Sequence, residues 1–248
     1  MDVLTTALER YPQARFQAAA PFPHLILDGL VSPDLVERLH ASVCETAVWD
    51  ERDDVVEKKR RSLWSSDGDI PEAARDTVRA LNSGAALRAL SKATGIRHLL
   101  SDPYYSGGGF NMIQRGGRLG VHVDGSWHDE MRVHRRLNLI LYLNPRWQPD
   151  WGGELGFYDE GGRRQVSVAP VPGRVVVFET HDRTLHGHPE PLMCPEGEAR
   201  TSIILYYYTA QPRPTEHTAH SGPHRALWRD LGMRPKDQIA GVNVGLNS

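Results

Sequence analysis

Between about residue 101 and residue 210 the chain breaks into short β-type runs separated by glycine pairs, and this texture limits the fold more than any other feature. Residues 110–114, 119–123, 137–143, 153–158, 165–168, 174–178, 186–188 and 201–208 read as eight strands. Gly116-Gly117, Gly152-Gly153, Gly161-Gly162 and Pro172-Gly173 punctuate them as turns. Many short strands with few helices fit two packed sheets, a β-sandwich or a jelly roll.

Upstream the pattern changes. Leu25-Ile26-Leu27 is a short strand candidate, and Ser32 followed by Pro33 is a helix start, an N-cap hydroxyl ahead of proline at the first helical position. Leu35, Val36, Leu39 and Val43 then recur at helical spacing. Residues 71–92 read as helical, and the charged run ERDDVVEKKRR at 51–61 as a solvated loop or helix face. From Pro212 the chain reads as an irregular wrap with one short helix near 225–231. The expected organisation is a single domain over 1–248, with a helical N-terminal support (1–100), a β core (101–212) and a C-terminal wrap (213–248).

Composition narrows the class of function. Of 248 residues, 40% are hydrophobic and 24% charged, ordinary values for a soluble globular protein, and the net charge of -2 gives no reason to expect a nucleic-acid partner. The longest apolar runs are strand-sized, far short of a membrane span of roughly 20 residues. The N-terminus lacks the apolar core of a secretory signal. With only two cysteines, a disulfide framework is not expected, and the reading is a cytoplasmic protein.

Twelve histidines make their placement informative. In a strand, residues i and i+2 share a face, so His122 and Asp124 would project an imidazole and a carboxylate together. These are two parts of a 2-His-1-carboxylate set, which leaves open positions on iron(II). A third ligand has to come from a distant strand. The segment FETHDRTLHGHPEPL offers His181, His186 and His188. His181 falls in a turn and reads as solvent-exposed; His186 and His188 share one strand face, and geometry alone does not separate them.

Taken in order, several motifs resemble one family. His122-Val123-Asp124, Tyr142-Leu143-Asn144, Gly152-Gly153-Glu154-Leu155, the segment from Gly173 to Phe178, His186 and Arg200 follow the pattern of the prolyl-4-hydroxylase-like 2-oxoglutarate/iron(II)-dependent dioxygenases over roughly residues 105–210. The resemblance implies a mainly β chain with flanking helices, a double-stranded β-helix or jelly roll. It implies Fe(II), 2-oxoglutarate and O2 as cofactor and co-substrates, with ascorbate a candidate reductant. It selects His186 as the third ligand beside His122 and Asp124, and leaves His188 to line the pocket or hydrogen-bond a ligand. Arg200 is then the cation for the distal carboxylate of 2-oxoglutarate, a role suited to a bidentate fork, and Tyr142 a hydroxyl contact for the same group. Asn111 and Gln114 are the candidates for a further polar contact on the strand before His-x-Asp.

The family reaction yields succinate and carbon dioxide and, with a carboxylate ligand such as Asp124 present, favours hydroxylation over halogenation. Desaturation or cyclisation is the alternative outcome, and a cupin-type metal protein or a binding module the alternative class. Trp127 and His128, close behind His-x-Asp, are candidates for the pocket wall. Arg115, Arg118, Arg132, Arg135 and Arg136 crowd the same region and read as a solvated charged face. The expected substrate is an amino acid, a peptidyl residue or a natural-product intermediate, and the expected assembly a monomer or homodimer.

Overall fold

A computed structural model describes residues 2–220 and 222–236. All eight expected strands form. They are β4 (Gly109–Gln114), β5 (Arg118–Val123), β7 (Val133–Tyr142), β8 (Leu155–Tyr158), β9 (Arg164–Val168), β10 (Val175–Glu179), β11 (Leu185–His188) and β12 (Ala199–Thr209). Five more accompany them: β1 (His24–Leu27), β2 (Asp50–Asp53), β3 (Glu57–Arg61), β6 (Trp127–His128) and β13 (Leu227–Trp228). Every pairing is antiparallel, and the order β1-β10-β7-β12-β4-β3-β5-β11-β8-β9 runs through two folded-over halves, the curled sheet of a jelly roll.

Strand alternation explains why the central strands are apolar on both sides. On β7, Leu137, Leu139 and Leu141 enter one cluster, while Ile140 and Tyr142 enter another. β12 and β10 follow suit: Ile203, Leu205, Val175 and Val177 belong to the first cluster, Val176 and Phe178 to the second. The first cluster is covered by helices α1 (Asp2–Arg10), α2 (Gln13–Gln17), α3 (Pro33–Cys44), α4 (Glu72–Leu81) and α5 (Gly84–Thr94). The second lies between the two halves of the sheet and is closed by Phe22, Leu155, Phe157 and Val168. Each such side chain contributes roughly 1.5–3 kcal/mol on burial.

The helices follow their caps. Ser32 Oγ accepts from Leu35 N at 3.4 Å to open α3. The helical stretch expected over 71–92 divides in two, because Ser83 Oγ accepts from Ala86 N at 3.2 Å and starts α5 afresh; left-handed Gly95 ends it.

Three expectations need correction. The charged run 51–61 is neither loop nor helix: it is the hairpin β2–β3, and β3 bridges β4 and β5, joining the two halves of the sheet. The N-terminal part is therefore not purely helical. The short helix expected near 225–231 is instead the two-residue strand β13, paired with β5, followed by a single 3-10 turn at Arg229–Leu231. Beyond residue 236 the expected wrap lies outside the described residues.

Buried Asp182 holds the C-terminal segment to the core. Arg213 Nη1 donates to it at 2.9 Å, Ala219 N at 2.8 Å and His220 N at 3.0 Å, and His224 Nε2 lies 2.8 Å away. Burial pushes its carboxyl up, but the bonds from His224, Ala219 and His220 outweigh burial and hold it well below the usual carboxylate range.

Two predictions follow from this packing. A depressed carboxyl adds stability that is complete above its unfolded value, about 4, and fades as pH falls through the folded value. Asp182→Asn should therefore melt below the parent at pH 7, and the gap should narrow below about pH 4 in thermal melts at stepped pH. A gap independent of pH contradicts this. At Gly187, a Cβ would stand 2.6 Å from Gly120 O and 2.8 Å from Leu119 O. Gly187→Ala should force β11 from β5 at a cost of about 1–3 kcal/mol, read by denaturant unfolding.

Candidate metal centre and co-substrate cavity

The pairing of β5 with β11 builds the site. Its register sets His186 opposite His122, and their ring centroids lie 4.4 Å apart. Asp124, two residues past His122, turns its carboxylate to the same place: Oδ1 is 3.6 Å from His122 Nε2 and Oδ2 3.8 Å from His186 Nε2. One ligand atom from each of the three lies within 4.8 Å of the others, the only such group among the described residues.

Local hydrogen bonds prepare these groups for a metal. His122 Nδ1 lies 2.9 Å from Gly120 O, and His186 Nδ1 lies 2.9 Å from Thr184 O. A carbonyl can only accept, so Nδ1 carries the proton and Nε2 is left with its lone pair toward the shared space. Burial, then the His122 ring, lowers the His186 pKa to about 4, so the imidazole is neutral at pH 7. Burial pushes the Asp124 carboxyl up, but His186, His122 and Arg135 outweigh it and keep it ionised. Asn138 Nδ2 donates to Asp124 Oδ2 at 3.1 Å and fixes its plane. Two imidazoles and one carboxylate suit iron(II) with positions left open. These three side chains could hold that ion.

Arg200 is placed by Asn144. The Asn144 side chain donates to Ala199 O at 2.6 Å and accepts from Thr201 N at 3.3 Å, so it grips the chain on both sides of Arg200. The guanidinium then donates from Nε to Gly153 O at 2.9 Å and from Nη2 to Tyr142 Oη at 2.9 Å. Arg200 and the triad open onto one cavity of about 640 Å3. Tyr142 is not part of that lining; its fully buried hydroxyl orients Arg200 from behind. Arg200 could hold a carboxylate at the inner end of this cavity.

The remaining expected residues divide. Asn111 lines the cavity, and its buried Nδ2 has no hydrogen-bond partner. Gln114 does not: it is exposed, on the opposite parity of β4 from Asn111 and Ile113. Trp127 lines the cavity, whereas His128 is buried off it, its Nε2 3.0 Å from Asp102 Oδ1 and its ring edge-on to Tyr208. His188 is also off the lining; it is buried with no partner on either ring nitrogen, and burial, then Arg200, pushes its pKa well down. His181, expected to be exposed, is buried in the turn, its ring stacked on His217 at 4.5 Å. Arg135 and Arg136 are not on a solvated face either: Arg136 is buried and the Arg135 side chain is only 13% exposed.

Sequence reasoning missed several parts of the wall. Trp228 stacks on His122 with ring centroids 4.6 Å apart and planes 29° apart. Phe178 backs His186 at 4.7 Å. Lys59 and Arg61 of β3, and Pro223, His224 and Lys236 of the C-terminal segment, complete the rim. Only the aromatic character of Trp228 in a polar tail could have marked any of them.

Trp228 limits the swing of the His122 ring, so Trp228→Ala should weaken cobalt(II) affinity about tenfold, and Trp228→Phe should restore most of it. Metal titration checks this, with melting temperature to separate unfolding. Unchanged affinity in Trp228→Ala contradicts the role.

Comparison with known proteins bears on the fold and the reaction class. Residues 108–208 match the family model described as the 2OG-Fe(II) oxygenase superfamily. The chain is 33% identical over 106 residues to the prolyl 3-hydroxylase OGFOD1 of Mus musculus and 30% identical over 106 residues to that of Xenopus laevis. Each match takes in 39% of this chain, and the chain spans only about a fifth of those relatives, 19% and 20%. Among solved structures, a Pseudomonas putida prolyl-4-hydroxylase superposes with a TM-score of 0.58 at 22% identity, covering 80% of this chain and 99% of its own. A Trichoplax adhaerens prolyl hydroxylase, solved with a hypoxia inducible factor oxygen degradation domain peptide, gives 0.60 at 15% identity, covering 83% and 90%. The structural likenesses establish the fold. The family's cofactor and co-substrates are Fe(II), 2-oxoglutarate and O2. The segment 108–208 is similar to the 2OG-Fe(II) oxygenase superfamily, and the fold of the chain is similar to that of the prolyl hydroxylases.

Proposed function

We propose that this chain is an iron(II)- and 2-oxoglutarate-dependent hydroxylase that oxidises an unactivated C–H bond of a peptidyl or free amino-acid substrate. The observation that carries the reading is the opening of the His122–Asp124–His186 donor set and the Arg200 guanidinium onto one cavity. Bound together, iron(II) and 2-oxoglutarate supply oxidative decarboxylation, with one oxygen atom of O2 entering succinate and the other the substrate C–H bond.

The residues of this chain do the rest. His122, Asp124 and His186 would hold the metal, and the cavity they line would admit 2-oxoglutarate, oxygen and substrate. Arg200, held by Tyr142 Oη and Gly153 O, receives the distal carboxylate. Asn111 Nδ2, buried and without a partner, donates to the same ligand. Ile140, Leu155 and Ile204 furnish apolar surface in the cavity and exclude water from the reacting centre. The prolyl hydroxylases named above make a prolyl residue the first substrate to test; a natural-product intermediate is the second.

Incubation with iron(II), 2-oxoglutarate and candidate substrates should release succinate and carbon dioxide and add 16 mass units to the substrate, about two fewer than the parent mass indicating desaturation or cyclisation instead. Asp124→Ala should lose substrate oxidation, and formation of oxidised product at the parent rate would remove Asp124 from the ligand set. Arg200→Gln should raise the KM for 2-oxoglutarate about tenfold or more, the equivalent of a lost charge-assisted bond. An unchanged KM assigns the carboxylate elsewhere.

A further inference from the structure

The hairpin β2–β3 reads by alternation. Lys58 and Arg60 pair outward with Asp53 and Glu51. Glu57, Lys59 and Arg61 point the other way and line the cavity, joined by Arg52 of β2. A run that looks like solvated charge therefore places three of its five cations, Arg52, Lys59 and Arg61, on the cavity.

Charge is not evenly matched across that cavity. At the inner end it closes: a divalent ion and Arg200 face Asp124 and the two carboxylates of 2-oxoglutarate. Lys59 and Lys236 are likewise balanced, by Glu57 and Asp54. Arg52 and Arg61 are not, because they share a single carboxylate oxygen, Asp50 Oδ2, at 2.8 Å and 2.7 Å. Arg61 and Tyr206 both border Gly107, where a Cβ would meet Arg61 Nη1 at 3.4 Å and Tyr206 Cε2 at 3.6 Å. The Tyr206 ring carries the Arg135 guanidinium on its face, 3.8 Å from the centroid. Arg135 adds to the surplus, since its nearest carboxylate, Asp124 at 3.9 Å, is the one the metal would take, and the remaining carboxylate of the lining, Asp129, offsets only one positive charge.

We infer that the primary substrate carries a carboxylate, which docks on Arg61 and Arg52 at the hairpin side of the cavity. This rests on the oxygenase reading of the same site. Two guanidinium groups on one oxygen keep donors to spare, and the planar fork of arginine matches a carboxylate. Both side chains are about a third exposed, 30% and 32%, so an incoming anion reaches them without burying an unpaired charge. The carboxylate belongs either to an acidic side chain beside the reacting residue of a peptide or to a free amino acid.

The test uses two acid–amide pairs as probes: N-acetyl-Glu-Pro-Gly-amide against its Gln counterpart, and L-proline against L-prolinamide. Each is titrated calorimetrically into the cobalt(II)·2-oxoglutarate protein at low salt without oxygen. The acid of one pair should bind about tenfold tighter than its amide, and the preference should shrink as salt is raised. The peptide pair responding identifies an acidic side chain; the proline pair, a free amino acid. Arg61→Gln and Arg52→Gln should each remove most of the preference. Arg60→Gln, on the outward face of the same strand, should keep it. Equal affinity for acid and amide in both pairs, undetectable binding included, overturns the inference, as does a preference that survives both inward substitutions. Cobalt(II) and 2-oxoglutarate binding are measured first on each sample, and failure there counts against the oxygenase reading instead. Melting temperatures confirm that each variant is folded.

Discussion

Two antiparallel strands, β5 and β11, must approach closely enough for His186 to stand across from His122, and the rest of the site depends on that approach. It is possible because Gly187 follows His186: any side chain there would meet the Gly120 and Leu119 carbonyls. The same Gly120 carbonyl bonds to His122 Nδ1 and so sets the tautomer of a candidate ligand. One local constraint thus fixes the spacing of the imidazoles and the direction of a lone pair.

Placing so many polar groups between two sheets is expensive unless each is paired. The pairing here is layered. Asn138 holds Asp124, Tyr142 and Gly153 hold Arg200, and Asn144 holds the backbone around Arg200. Aromatic faces from Trp228 and Phe178 occupy the space behind the imidazoles, where water would otherwise compete for them. The polar atoms left without a protein partner are informative for the same reason. Three of them, Asn111 Nδ2, Asn138 Oδ1 and Arg135 Nε, lie on residues lining one cavity, where a ligand would complete the bonding.

Much of the core was legible because its signals are local. Glycine pairs mark turns, apolar runs mark strands buried on both faces, and Ser32-Pro33 marks a helix start. The misses have a common cause in partners far along the chain. EKKRR contains no apolar residue, so nothing in it announces a strand; it becomes one because β4 and β5 offer it edges. Asn111 and Gln114 were equal candidates until the strand's parity separated them. His128 looked available until Asp102, 26 residues earlier, took its ring nitrogen. Arg135 looked solvated until Tyr206 covered it.

The same division separates chemistry from selectivity. The matched segment, 108–208, contains the donor set, Arg200 and its supports. The mouth is built by residues on either side of it, the hairpin before and the segment from Pro223 to Lys236 after. These two flanks meet: Lys236 bonds to Glu57 and Asp54, closing one side of the opening, and Trp228 reaches from the later flank to His122. A core held by close strand pairing tolerates little change where its side chains serve both packing and the site, as on β5, β7 and β11. The flanks contact the core along short edges, and the inward residues of the hairpin face the cavity rather than the packed layers. Relatedness in the core therefore predicts the reaction class, while the choice of substrate has to be read from Arg52, Arg61 and the residues facing them.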